Sequence, residues 1–254
     1  MVIMIVRKQE AMNIIGGIIM ADIIQINDNS WWIEDNGVRF FLLTGSKKAL
    51  LIDSGMNTPN ARQIAESITK LPIMLLNTHA DPDHISGNGS FNDFYMYPDE
   101  EDNYRAHGGL GSILPVKEND IIDLGNRPMK IIFIPGHTPG SIAVLDINNR
   151  VLISGDSIQD GNIFMFKKHR NLSLYVESLK KLSLYTDEFN TIYPSHGSFP
   201  VCPELIENLI EGAEQIINGT AKGKIVDMFG TPVMLYKFPY AGFLCDVSMP
   251  KCAE

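Results

Sequence analysis

Residues 79–84 read His-Ala-Asp-Pro-Asp-His, directly after an apolar run that ends at Asn77-Thr78. Such a loop puts two imidazoles and two carboxylates on one tight surface. Three later segments share a design: an apolar strand ending in a small-residue turn that presents one His or Asp. They are Pro135-Gly136-His137-Thr138-Pro139-Gly140, Ser154-Gly155-Asp156 and Pro194-Ser195-His196-Gly197. Glycines there let backbone approach a crowded site closely. Loops at the strand ends of a rigid scaffold are where sites of this kind sit.

The rest of the pattern supplies that scaffold. Short strand-like runs, 23–26, 31–34, 38–44 and 49–53, are separated by Asn, Asp and Gly turns and read as a β-meander. Thr58-Pro59 opens a helix that runs to Lys70 and stops before Pro72. Further strands are predicted at 73–77, 94–97, 129–134, 142–147, 151–154 and 191–193. Apolar residues at helical spacing predict helices over 172–184 and 203–217. The tail, 224–244, reads as one or two closing strands. Strands first, then strands mixed with helices, imply an α/β fold of two packed sheets flanked by helices.

Bulk properties narrow the class. A chain of 254 residues with 44% apolar content buries a large core as a single domain, placed here at 22–254. Residues 1–21 read as an N-terminal extension, with Met12 and Met20 as alternative starts. No run approaches the ~20 apolar residues of a membrane span, so no membrane partner is expected. Lys and Arg number 21 against 30 Asp and Glu, a net charge of -9 that repels long nucleic acid and leaves a small-molecule substrate as the expected partner. Cys202, Cys245 and Cys252, with no Cys-X-X-Cys spacing, suit reduced thiols in a cytoplasmic protein.

The order and spacing of these segments resemble the metallo-β-lactamase superfamily, whose motif is His-X-His-X-Asp-His followed by a His, an Asp and a final His. The resemblance covers the chain from about Asp22 onward. It implies the four-layer αββα metallo-β-lactamase fold and two divalent metal ions. Carried over residue by residue, it implies His79, Asp81 and His137 around one metal, Asp83, His84 and His196 around the other, and Asp156 between them. Leu51-Ile52-Asp53-Ser54-Gly55 is similar to the family's first motif, in which the Asp supports the metal loop from behind.

Position 81 departs from that pattern, because it holds Asp where the family has its second His. A carboxylate at this place resembles the flavodiiron reductases, which have Glu, and the nuclease-like domains linked to DNA uptake, which have Asp. A third carboxylate at the centre lowers the Lewis acidity of two divalent ions and favours harder metals, so iron and manganese stand beside zinc, with zinc favoured. The absence of thiol ligands argues against a purely structural zinc site.

The function this implies is hydrolysis of a small ester, thioester or lactone by a hydroxide shared between two metals, with Asp83 taking its proton. A di-iron redox enzyme and a two-metal phosphodiesterase are the alternatives. Other polar and aromatic residues read as follows. His107 is a loop or surface histidine, and Lys167-Lys168-His169-Arg170 is a solvated charge run or a contact for an anionic substrate. Ile158, Ile163, Phe164, Met165 and Phe166 form either a substrate wall or core. Alternation puts one of Trp31 and Trp32 inward and the other over the site as a flap.

Overall fold

Tight turns organise the first half of the chain. Asn36 and Gly37, at φ 53° and 88°, form a two-residue hairpin turn between strands paired at Asp35 and Val38; both φ values are positive, as a turn matched to strand twist requires. The computed structural model describes residues 21–247 and the backbone of Arg7–Lys8. The expected extension with Met12 and Met20 otherwise lies outside the described residues, as does Cys252. The chain divides into two compact units, Met1–Ile131 and Ile132–Glu254.

In the first unit eight strands form one sheet in chain order: β1 (Arg7–Lys8), β2 (Asp22–Asn27), β3 (Ser30–Asp35), β4 (Val38–Thr44), β5 (Ala49–Ile52), β6 (Ile73–Leu76), β7 (Asp93–Met96) and β8 (Ser112–Pro115). Pairing is antiparallel up to β5 and parallel from β5 to β8. The change of direction requires a crossover, supplied by helix α1 (Ala61–Ile68). One sheet face, carrying Phe40, Leu42, Ala49, Leu51, Leu75 and Phe94, packs with Ala61 and Ala65 of α1 in a single core. Two short helices follow the parallel strands, α2 (Pro82–Ile85) and α3 (Glu101–Ala106). The hairpin β9 (Ile121–Asp123) and β10 (Pro128–Phe133) leads out of the unit. Neither β8 nor β9 was expected from sequence. Both are short, and their residues are largely exposed or half-buried, so they carry no long apolar run.

In the second unit β11 (Ile142–Asp146) pairs antiparallel with β12 (Val151–Gly155), and β12 pairs parallel with β14 (Thr191–Pro194). A separate sheet runs in the order β13 (Asn162–Met165), β17 (Gly242–Asp246), β16 (Thr231–Lys237) and β15 (Gly223–Met228). Helices α4 (Leu172–Ser183) and α5 (Leu205–Ile217) bury one face each. Leu179, Leu182, Ile206 and Leu209 join Ile132, Leu145, Leu152 and Phe243 in this unit's core.

One expectation changes here and two are resolved. The tail forms three strands rather than one or two, because Phe229-Gly230 makes the β15–β16 turn with Phe at φ 55°, where sequence signals look for Asn or Asp. Ile158, Ile163 and Met165 are fully buried, and Phe164 and Phe166 pack with Val233 and Leu244, so the apolar run after Asp156 is core. Trp31 packs against the core of the first unit on the same face as Ile33, the inward direction that alternation expects for one of the pair, and both indoles stay half-buried because so large a ring is not completely covered here.

Among the described residues no helix is long and apolar enough to cross a membrane. Cys202 is exposed, whereas Cys245 is buried and its thiol is pushed up to about 12 by that burial and by the neighbouring Asp246 charge.

Candidate metal centre

The parallel pairing of β5 and β6 sets their carboxyl ends side by side, and the backbone N–H of Asp53 donates to the Leu76 carbonyl at 2.8 Å. Asp53 adopts φ 65°, a conformation that Asp tolerates better than most side chains. From there Oδ1 accepts the Thr78 N–H at 2.7 Å, Oδ2 accepts the Thr78 hydroxyl at 2.7 Å, and Oδ2 lies 2.9 Å from His84 Nδ1. Pro82 then starts α2, with Asp81 as its extended N-cap residue. The His84 carbonyl accepts from Ser54 N–H at 2.9 Å and from Asn77 Nδ2 at 3.0 Å.

These bonds decide which nitrogen of each ring keeps its lone pair. A carboxylate only accepts, so His84 Nδ1 carries the proton towards Asp53. Thr78 spends its single hydroxyl proton on Asp53, so His79 Nδ1, 3.0 Å from Thr78 Oγ1, must donate to it. Both rings therefore present Nε2 as the Lewis-basic atom, the arrangement in which a histidine binds a metal. His79 Nε2 lies 3.7 Å from Asp81 Oδ2, and His84 Nε2 lies 3.6 Å from Asp83 Oδ2.

The second unit assembles its set by the same logic. β12 and β14 run parallel and end together at Gly155 and Pro194, so Asp156 and His196 emerge side by side. Asp156 Oδ1 lies 3.4 Å from His196 Nε2, and its Oδ2 lies 3.8 Å from His137 Nε2. One carboxylate thus faces two imidazoles with different oxygens. His137 Nδ1 is 3.1 Å from the Phe164 carbonyl, an acceptor, which again leaves the lone pair on Nε2. Gly136, at φ 133°, brings this turn against the first turns of α4.

Three of the four Nε2-to-carboxylate separations, 3.6 to 3.8 Å, are too long for hydrogen bonds, and the fourth, 3.4 Å between His196 and Asp156, is near the outer limit of one. They suit two atoms that each sit about 2.0–2.2 Å from a shared cation, whose separation in tetrahedral coordination is roughly 3.3–3.6 Å. The donor set, imidazole plus carboxylate without thiolate, fits zinc, iron or manganese. Asp53, His79 and His84 also place ligand atoms within 4.8 Å of one another. Asp53, however, faces Nδ1 of His84 and the Thr78 hydroxyl, so it braces the loop.

Every residue singled out from sequence within 79–84 is thus gathered beside Asp53 in the first unit, and His137, Asp156 and His196 are gathered in the second. His107 is exposed just beyond α3. Of the basic run, Lys167, Lys168 and His169 are exposed, but Arg170 turns in and donates to the His137 carbonyl at 2.5 Å. The sequence reading passed over Glu100, a fully buried carboxylate whose Oε2 accepts the Ala80 N–H at 2.8 Å. Its surroundings, Pro-Asp-Glu-Glu-Asp, look like any solvated helix start.

Residues 33–196, more than half of the chain, match the family described as the metallo-beta-lactamase superfamily. The chain belongs to that superfamily. As a metallo-β-lactamase-fold protein it is a metal-dependent hydrolase. It is 26% identical to the acyl-coenzyme A thioesterase MBLAC2 of Gallus gallus, over 65% of this chain and 76% of that protein. It is also 26% identical to a hydroxyacylglutathione hydrolase of Synechococcus sp., over 51% of each chain. Among solved structures, a metallo-β-lactamase from Pontibacter korlensis superimposes with a TM-score of 0.67 at 14% identity, covering 76% of this chain and 99% of that one. The FIM-1 enzyme from Pseudomonas aeruginosa, in its mono-zinc form, gives 0.65 at 19% identity, covering 79% and 98%. At these identities the two structures establish the shared fold.

The bracing role of Asp53 makes a clear prediction. Asp53→Asn replaces one acceptor oxygen by an NH2, so either the His84 Nδ1–H or the Thr78 N–H meets a donor and the loop loses one of its braces. Metal affinity should fall about 10- to 100-fold, measured by competition with a chromophoric chelator. Unchanged affinity would remove Asp53 from the site.

Proposed function

We propose that the chain hydrolyses acyl thioesters, with a pair of divalent cations held jointly by His79, Asp81 and His137 on one side, Asp83, His84 and His196 on the other, and Asp156 between. The support is the family match, which spans both ligand sets, together with Nε2 lone pairs directed towards carboxylates in each set. Zinc is the favoured occupant, with iron and manganese as its competitors. For the substrate, the relatives carry the argument: both named activities, on acyl-coenzyme A and on hydroxyacylglutathione, are directed at an acyl group borne by a thiol.

When bound, the ions would bring the pKa of a water towards neutrality and polarise the scissile carbonyl. The chain's own contribution is orientation and proton handling. Asp53, Thr78 and the Phe164 carbonyl hold three imidazoles in one tautomer, so no ring must reorganise before reaction. The Asp83 carboxylate, at 23% exposure against 0% for His84, is open enough to accept the proton of the attacking water at Oδ2 and return it to the departing sulfur. A reducing cytoplasm suits the free thiols of Cys202 and Cys245.

The test is a substrate panel on protein reconstituted separately with zinc, manganese and iron: acyl-coenzyme A, S-acylglutathione, lactones, β-lactams and a phosphodiester dye. Thioesters should exceed every other class in kcat/KM by about a hundred-fold, roughly 3 kcal/mol of transition-state discrimination. Dominant phosphodiester cleavage would make the chain a nuclease-like enzyme, and oxygen consumption without hydrolysis would make it a redox enzyme.

A further inference from the structure

The carboxylate at position 81, where the superfamily motif has histidine, has neighbours that match it. Glu100 closes the 3-10 turn Pro98–Glu100 and is fully buried. Its Oε2 accepts two N–H groups, from the Ala80 backbone at 2.8 Å and from Asn103 Nδ2 at 3.2 Å. Asn103 Nδ2 also lies 3.5 Å from Asp81 Oδ1, at the outer limit of a hydrogen bond. A single amide NH2, with two protons, therefore stands between two carboxylates.

The orientation of that amide is fixed by Glu100. Turning it over would set Asn103 Oδ1 against the Glu100 carboxylate, two acceptors face to face. With the NH2 held this way, position 81 is offered a donor. A carboxylate accepts it through Oδ1 and keeps Oδ2 on the side of His79 Nε2, 3.7 Å away. A histidine bound to a metal through one nitrogen has an N–H at the other, so at this position it would meet the amide donor to donor.

We infer that Glu100 and Asn103 are positioning residues that specify a carboxylate ligand at position 81: Glu100 orients Asn103, and Asn103 orients Asp81. The inference rests on the metal centre proposed above. It explains the departure from the family motif by groups outside the ligand set, and it assigns a role to a buried acid that the hydrolytic reading leaves unused.

The experiment is a double-mutant cycle on the full chain, read as metal affinity by chelator competition and as the visible spectrum of the cobalt-substituted protein. Asn103→Leu, which keeps the volume, should weaken one of the two ions about ten-fold or more and alter the cobalt bands. In an Asp81→His background the same change should cause no loss and should raise affinity, because it removes the donor that the ring N–H would face. Glu100→Ala should lose affinity like Asn103→Leu, and Glu100→Gln, which retains an oxygen acceptor, should recover most of it. If Glu100→Ala fails to fold, the Asn103 cycle still decides. Wild-type affinity and spectrum in Asn103→Leu, or equal losses in both backgrounds, would overturn the inference. A wild-type chain that holds no metal would fail the metal centre itself, a result distinct from either.

Discussion

His84→Ala should lower hydrolysis roughly a thousand-fold, several kcal/mol of transition-state stabilisation, and release one equivalent of metal. His84 is fully buried, its ring is held by Asp53 at Nδ1, and its carbonyl is held by Ser54 and Asn77. The alanine variant keeps the carbonyl bonds, so the loop should retain its path and the loss should be local. It also leaves Asp53 without its imidazole partner, and Asp53 still has the Thr78 N–H and hydroxyl to neutralise it. The measurements are metal content by elemental analysis, kcat/KM on the best thioester, and a thermal melt of the metal-free protein. Full activity with normal metal content would exclude His84 as a ligand.

Gly136→Ala should be the most damaging change in the second unit. An added Cβ would sit 2.4 Å from both N and Cα of Tyr175, atoms of the α4 backbone that cannot swing aside. At φ 133° the residue also occupies a region that alanine adopts only under strain. Backbone strain and overpacking each contribute about 1–3 kcal/mol, so a combined loss of about 4 kcal/mol is expected. For a chain of this size that is a fall in melting temperature on the order of 10 °C. Because α4 begins with Asn171 N–H bonded to the Gly136 carbonyl, and His137 is the next residue, the variant should also lose metal affinity. A melting temperature within 2 °C or so of the wild type would show that the helix yields at little cost.

What sequence made legible was the placement of the candidate ligand residues at strand ends. Residue type and spacing picked out 79–84, 137, 156 and 196, because a strand followed by a small-residue turn is a local pattern. β4, β6, β11 and α4 were found within a residue or two for the same reason: each is a continuous or periodic apolar run. Polar groups that act across long separations left no such trace. Arg127 reaches the carbonyls of Asn29 and Thr44, 98 and 83 residues earlier, at 2.6 and 2.8 Å, and in sequence it is one more basic residue in a turn. Glu100 was hidden likewise, since what holds it inside is the Ala80 N–H, twenty residues earlier, and an acidic run in sequence reads as exposed. Alternation gave the inward direction of one ring, Trp31, but it says nothing of how much of a large ring its neighbours can cover, and both indoles stay half-buried.

The three bonds received by Asp53 come entirely from the protein, and so do those that fix the His84 carbonyl. A cradle braced in this way has its shape before any cargo arrives. Loading of the proposed centre would then demand little ordering of the chain, and stripping the ions with a chelator would leave the loop poised to be refilled. On the proposed metal centre, the occupant would be a matter of supply and ligand softness, so one polypeptide would accept a different metal as availability changes.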